Sequence, residues 1–197
     1  MAPRSIVLVA MLSGCALTSK GDALAVRWFD PETPRTRLTS AAEGAPAHGP
    51  QRAVELGRVT SGGNLRERIA YRDDAYEVGY YDDKRWTERP EVYVRRALSR
   101  AMFEDRGMRR ALGGPAPVLE VEVLAFEELR GESRAARIQL RVVLHDDRDA
   151  LLERTILVDR PVRAGAKGFE GLVEAMAEAL DAAGEEVANA TARALDR

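Results

Sequence analysis

The chain has 197 residues, a length that closes one hydrophobic core and calls for a single domain. Its 30 Lys and Arg against 32 Asp and Glu leave a formal net charge of −2, so no field of one sign recommends nucleic acid or another polyanion as partner. A composition 45% hydrophobic and 31% charged excludes wholesale disorder, and a single cysteine excludes an internal disulfide and a thiolate zinc site.

The first residues run from a charged start at Arg4 through the apolar Ile6 to Leu12 into small residues, the layout of a secretory signal. The apolar run is far shorter than the roughly 20 residues a membrane-crossing helix needs. Leu12-Ser13-Gly14-Cys15 closes it and resembles the lipobox of bacterial lipoproteins. The resemblance implies cleavage after residue 14 and lipid attachment at Cys15. Residues 15–25 then form a lipidated tether, short enough to keep the domain within about 35 Å of its membrane. Ala16 stands where the lipoproteins of this type that stay in the inner membrane tend to carry Asp, which implies the outer membrane.

In chain order, Val26 to Phe29 reads as a first strand, stopped by Asp30-Pro31. Residues 31–52, rich in Pro and Ala, read as an irregular loop. Val54 to Val59 predicts a second strand, Ser61-Gly62-Gly63-Asn64 a helix start capped by Ser or Asn, and Leu65 to Ile69 a short helix. A hairpin runs from Ile69 to Tyr81 with Asp73-Asp74 at its tip. Pro90 opens a helix whose Val94, Ala97, Leu98, Ala101 and Met102 form one apolar stripe. Val118 to Glu128, Arg134 to His145 and Leu151 to Val162 predict a three-stranded meander, with Ile138, Leu140, Val142 and Leu144 facing the core. Phe169, Leu172, Val173, Met176 and Leu180 begin the apolar face of a terminal helix running from about residue 168 to 194. The sum is an α+β single domain, 26–197, with a mixed or antiparallel sheet and two long helices packed on it, preceded by a lipoprotein signal peptide at 1–14.

Catalytic chemistry finds little support. The two histidines, His48 and His145, fall in the irregular loop and at a strand end, and no serine stands in a G-x-S-x-G turn. Walker A and G-x-G-x-x-G patterns are absent, so no cofactor is expected. The pairs Asp73-Asp74, Asp82-Asp83 and Asp146-Asp147 read as turn residues rather than metal ligands. Tyr71, Tyr76, Tyr80, Tyr81 and Trp86, interleaved with Arg72, Arg85 and Arg89, admit two readings. Tyr71, Arg72, Tyr80, Tyr81 and Trp86 form an exposed recognition surface, or the hairpin packs its aromatics on the first helix with arginines stacked outside. The second is favoured.

The lipobox, the segment Val54 to Ile69, the path from Tyr71-Arg72 through Tyr80-Tyr81 to Arg85-Trp86 and Pro90, the strand Glu120 to Phe126 and the helix from Phe169 together resemble the ABC-type transport auxiliary lipoproteins, periplasmic companions of lipid transporters built on MCE domains. This resemblance implies a non-enzymatic component of an ABC-linked system that moves phospholipid or other hydrophobic molecules, docking an MCE-domain partner at the outer membrane. A homo-oligomeric ring is a further expectation by analogy with the rings of MCE proteins. Two other binding classes stay open: a lipoprotein regulator of an envelope enzyme such as a cell-wall synthase, and a periplasmic lipid carrier.

Overall fold

A computed structural model describes residues 24–32, 52–131, 133–165 and 168–196. The signal peptide, Cys15, the tether up to residue 23, the loop from 33 to 51 and His48 lie outside the described residues.

The sheet is organised around one long strand. We number the strands β1 (Arg27–Phe29), β2 (Ala53–Ser61), β3 (Arg68–Arg72), β4 (Val78–Trp86), β5 (Arg109–Arg110), β6 (Val118–Leu129), β7 (Ala135–His145) and β8 (Ala150–Pro161). Along one edge of β6 runs β7, antiparallel over its full length, and beyond it β8. The other edge is shared: β2 pairs in parallel with Val118 to Val123, and β3 in parallel with Glu127 to Leu129. Hairpin partner β4 lies antiparallel on β3, and β1 lies parallel on β4 at the sheet's margin. The two-residue β5 extends β2.

The expected helix at Leu65 to Ile69 does not form. Leu65 closes a turn onto the Gly62 carbonyl, and Ile69 already lies in β3. β2 and β3 are two stretches of extended chain on the same edge of β6, and Gly62 to Glu67 is the excursion between them. No helix starts there, so Ser61 caps nothing; its hydroxyl lies 2.6 Å from a Glu91 carboxylate oxygen and also reaches the Leu65 carbonyl. Another expected turn is also absent. Asp82-Asp83 lies inside β4, where Asp82 pairs with Arg68 and Asp83 with Lys84. The other two acidic pairs do make turns: Asp74 and Asp146 each accept two backbone N–H bonds from the residues just ahead of them.

Two helices cover one face of the sheet. α1 (Pro90–Ser99) starts with proline at its first position and continues into a π-helical turn, Arg100–Asp105. α2 (Glu170–Leu195) has 26 residues and at 1.5 Å per residue spans roughly 39 Å. The predicted stripe of α1 is buried throughout, as are Leu172, Met176, Leu180, Ala183 and Val187 of α2. The helices cross at Gly184, where a β-carbon would stand 3.1 Å from the Ala97 carbonyl oxygen. A side chain there would make the Ala97 carbonyl give way, which glycine avoids.

On the meander, Ile138, Leu140, Val142 and Leu144 point into the core with Ile156 and Val158 of β8. The opposite face is polar and laced with ion pairs such as Arg141–Glu153 at 2.6 Å and Arg137–Asp159 at 2.7 Å. A shallow groove of about 250 Å³ on that face is lined by Arg58, Thr60, Glu120, Glu122, Arg141 and Val143.

Candidate functional site

The alternation of β6 slips once. Leu119, Val121 and Val123 face the core; the register with β7 then shifts between Val123 and Ala125, leaving Leu124 exposed. A bulge of this kind inverts the facing of the residues beyond it. Phe126 and Glu128 therefore take the core-facing positions, and Glu128 is fully buried. A buried carboxylate is costly unless paired and hydrogen-bonded. Here the Tyr81 hydroxyl donates to it at 2.5 Å, the Arg134 guanidinium at 2.6 Å, and Arg130 stands 3.6 Å away.

Around this carboxylate the hairpin and the start of α2 place four aromatic rings. Tyr71 and Tyr81 meet edge to face at 5.3 Å, Tyr81 meets Phe169 at 5.1 Å, and Phe169 meets Phe29 of β1 at 4.6 Å. The Tyr71 ring covers Gly79, its cross-strand neighbour, where any β-carbon would fall inside the ring. Arg130, from the turn after β6, lies 3.3 Å over the Tyr71 ring and 4.6 Å over Tyr81, while Lys84 lies 4.8 Å over Tyr81. Burial, and the bond it donates to Glu128, raise the Tyr81 hydroxyl above its ordinary pKa. It is a donor at every physiological pH. The cluster is thus a braced knot of cations, rings and one carboxylate, with Arg134 and Arg130 partly exposed at its rim.

The five sequence-predicted recognition residues do not share one surface. Tyr71 and Tyr81 stand on the helix-bearing side, half buried in the knot. Arg72 belongs to another pair, holding the buried Glu127 through two bonds of 2.9 and 3.3 Å. Tyr80 is half buried, under Arg68. Trp86 has no exposed surface, so the expectation that it lies on a recognition surface is corrected. It sits in the core against Phe126 at 5.5 Å and Tyr93 of α1 at 6.5 Å. The hairpin does pack its tryptophan on the first helix, and the arginines stacked on its tyrosines are Arg68 of β3, on Tyr80, and Arg130 from the turn after β6, on Tyr71 and Tyr81. The reading from sequence missed Glu128, Arg130, Arg134 and Lys84. The only local signal was the run Leu124-Ala125-Phe126, where alternation breaks just before Glu127-Glu128. His145 ends β7 with Nδ1 3.2 Å from the Asp146 carbonyl oxygen.

A family model described as "ABC-type transport auxiliary lipoprotein component" matches residues 37–188, more than half of the chain and nearly the whole described domain. The chain belongs to this family. As an ABC-type transport auxiliary lipoprotein it is a transport-associated envelope protein, and no described helix is long and apolar enough to cross a membrane. Solved structures share its fold. A protein from Xanthomonas campestris, 21% identical, aligns with a TM-score of 0.63 over 73% of this chain and 85% of its own. A hypothetical protein from Chlamydia trachomatis, 9% identical, aligns at 0.52 over 74% and 96%. No curated protein sequence matches the chain.

Proposed function

We propose that this auxiliary lipoprotein is anchored by lipid on Cys15 to the periplasmic side of the outer membrane, where it serves as a non-catalytic docking component for an MCE-domain protein of an ABC-linked system that moves phospholipid or another hydrophobic compound. The observation that carries the reading is the family match over residues 37–188 downstream of a lipobox-like run at Leu12 to Cys15. Acylation by several chains supports firm retention, since each buried methylene contributes about 0.8 kcal/mol and one chain alone binds marginally. The knot around Glu128 supports a binding role, because its polar groups are engaged with one another and its rim presents rings and guanidinium groups suited to protein contacts. The groove lined by Arg58, Glu120, Glu122 and Arg141 suits a polar partner surface rather than an acyl chain.

The test is crosslinking and pull-down of the native lipoprotein from membranes. Recovery of an MCE-domain protein or its transporter supports the reading, whereas recovery of a cell-wall synthase in their place sinks it. Cys15→Ser should lose acylation and leave the membrane fraction, and density-gradient separation of the wild-type membranes reads which membrane holds it. A ring predicts a single large species by light scattering; a monomer at every concentration removes the ring.

A further inference from the structure

The first described residues place three large apolar side chains in water. Leu24, Val26 and Trp28 are 62%, 43% and 58% exposed, spaced two apart, so extended chain sets them on one side. The residues between and after them turn the other way: Arg27 bonds Glu170, and Phe29 stacks on Phe169. Trp28 pairs in register with Arg85 of β4, and Arg85 with Arg68 of β3, so one row across three strands reads Trp, Arg, Arg. The Arg85 guanidinium bonds the carbonyl oxygens of Tyr81 and Lys84, and Arg68 bonds Asp82. An apolar stripe of this kind, rimmed by arginines, marks a contact surface. A tryptophan beside guanidinium groups is the composition favoured at the level of lipid headgroups.

What selects the occupant is the chain that leads here. Leu24 is nine residues beyond Cys15, a contour of at most about 32 Å. An anchored chain therefore delivers this stripe to the bilayer surface before any other part of the described domain. On so short a tether the second contact is intramolecular, and a weak apolar surface suffices to hold. We propose that Leu24, Val26 and Trp28 seat in the interfacial region of the bilayer, so that the membrane fixes the domain's orientation as well as its distance. This rests on the lipidation of Cys15 proposed above.

The protein carries two tryptophans, and Trp86 is wholly buried, so Trp86 contributes a constant emission and the vesicle- and quencher-dependent part belongs to Trp28. The purified full-length lipoprotein is reconstituted into phosphatidylethanolamine–phosphatidylglycerol vesicles with or without brominated acyl chains, and its mass reads lipidation independently. We expect a blue shift on reconstitution and loss of Trp28 emission with brominated lipid. Trp28→Phe abolishes that loss, and Leu24→Ser with Val26→Ser reduces it while the lipid mass and the Trp86 emission stay unchanged. A lipidated wild type quenched no more than Trp28→Phe overturns the proposal. So does a Trp28 already shielded from acrylamide before vesicles are added, because a second copy or residues 33–51 then cover the stripe. A chain without lipid whose Trp28 is nonetheless quenched by added vesicles supports the stripe while removing the anchor; one neither lipidated nor quenched overturns both.

Discussion

Glu128 is where a single residue carries most of the local electrostatics. Its carboxylate is buried with the Tyr81 hydroxyl and the Arg134 guanidinium as short-range partners, so removing a donor leaves charge under-satisfied. Tyr81→Phe should destabilise by about 1–3 kcal/mol, measured by urea unfolding; a change within error would show that the two arginines suffice. Because the folded Tyr81 pKa is raised, its contribution is fully present below the unfolded value of about 10 and is lost as pH rises through the folded value. Stability of the wild type should therefore fall as pH rises from about 10 toward the folded value, and Tyr81→Phe should lessen that fall, leaving the part due to Tyr93, whose hydroxyl is also raised by burial. Thr191 presents the reverse case, a hydroxyl fully buried in α2 without a hydrogen-bond partner among the described residues. Thr191→Val should stabilise by about 1 kcal/mol, since an unmatched buried hydroxyl is costly. For a chain of this size that is a rise in Tm of roughly 2–4 °C, and a fall would mean the hydroxyl is satisfied. None of this chemistry was legible in the sequence. Glu127-Glu128 at the end of an apolar strand reads as a solvated terminus until the bulge at Leu124 is known, and a bulge is set by what the neighbouring strands do.

At the scale of elements, periodicity spoke clearly where one face is buried against one partner. The α1 stripe, the α2 stripe and the alternation of β7 all lie as their sequences predict, because each buries a single face and polar residues crowd the other. It failed at Leu65 to Ile69. Five residues are too few to separate one helical turn from extended chain, and the decision came from the open edge of β6, where Ala70 to Arg72 pair with Glu127 to Leu129. The helix crossing offers the sharpest element-level test. Gly184 meets the Ala97 carbonyl and the Ala101 side chain, so Gly184→Leu must push α1 and α2 apart. Overpacking of this kind costs about 1–3 kcal/mol, and thermal unfolding should show it even though leucine is the better helix former. A stabilised variant would mean the helices separate freely.

For the molecule as a whole, the question is what β1 does. The family match begins at residue 37, behind β1, and the described segment ahead of it holds the domain through β1, by parallel pairing with Lys84 to Trp86, the Phe29 ring on Phe169, the Arg27–Glu170 pair and the Thr87 N–H donated to the Phe29 carbonyl, and through the buried Pro31 and the Glu32–Arg96 pair beyond it. The described core of β6, β7, β8 and the two helices closes without it. A chain begun at residue 37 should keep its near-UV circular dichroism and a single cooperative transition. It should lose about 1–3 kcal/mol for the partly buried Phe29 ring, and more for uncovering Pro31 and breaking the Glu32–Arg96 pair. If it instead melts without cooperativity, β1 is part of the folding unit. If it folds as expected, the amino-terminal strand is a coupling piece. With Cys15 lipidated as proposed, it would join the anchor to a self-sufficient domain by a contact that can yield before the sheet and helices unfold.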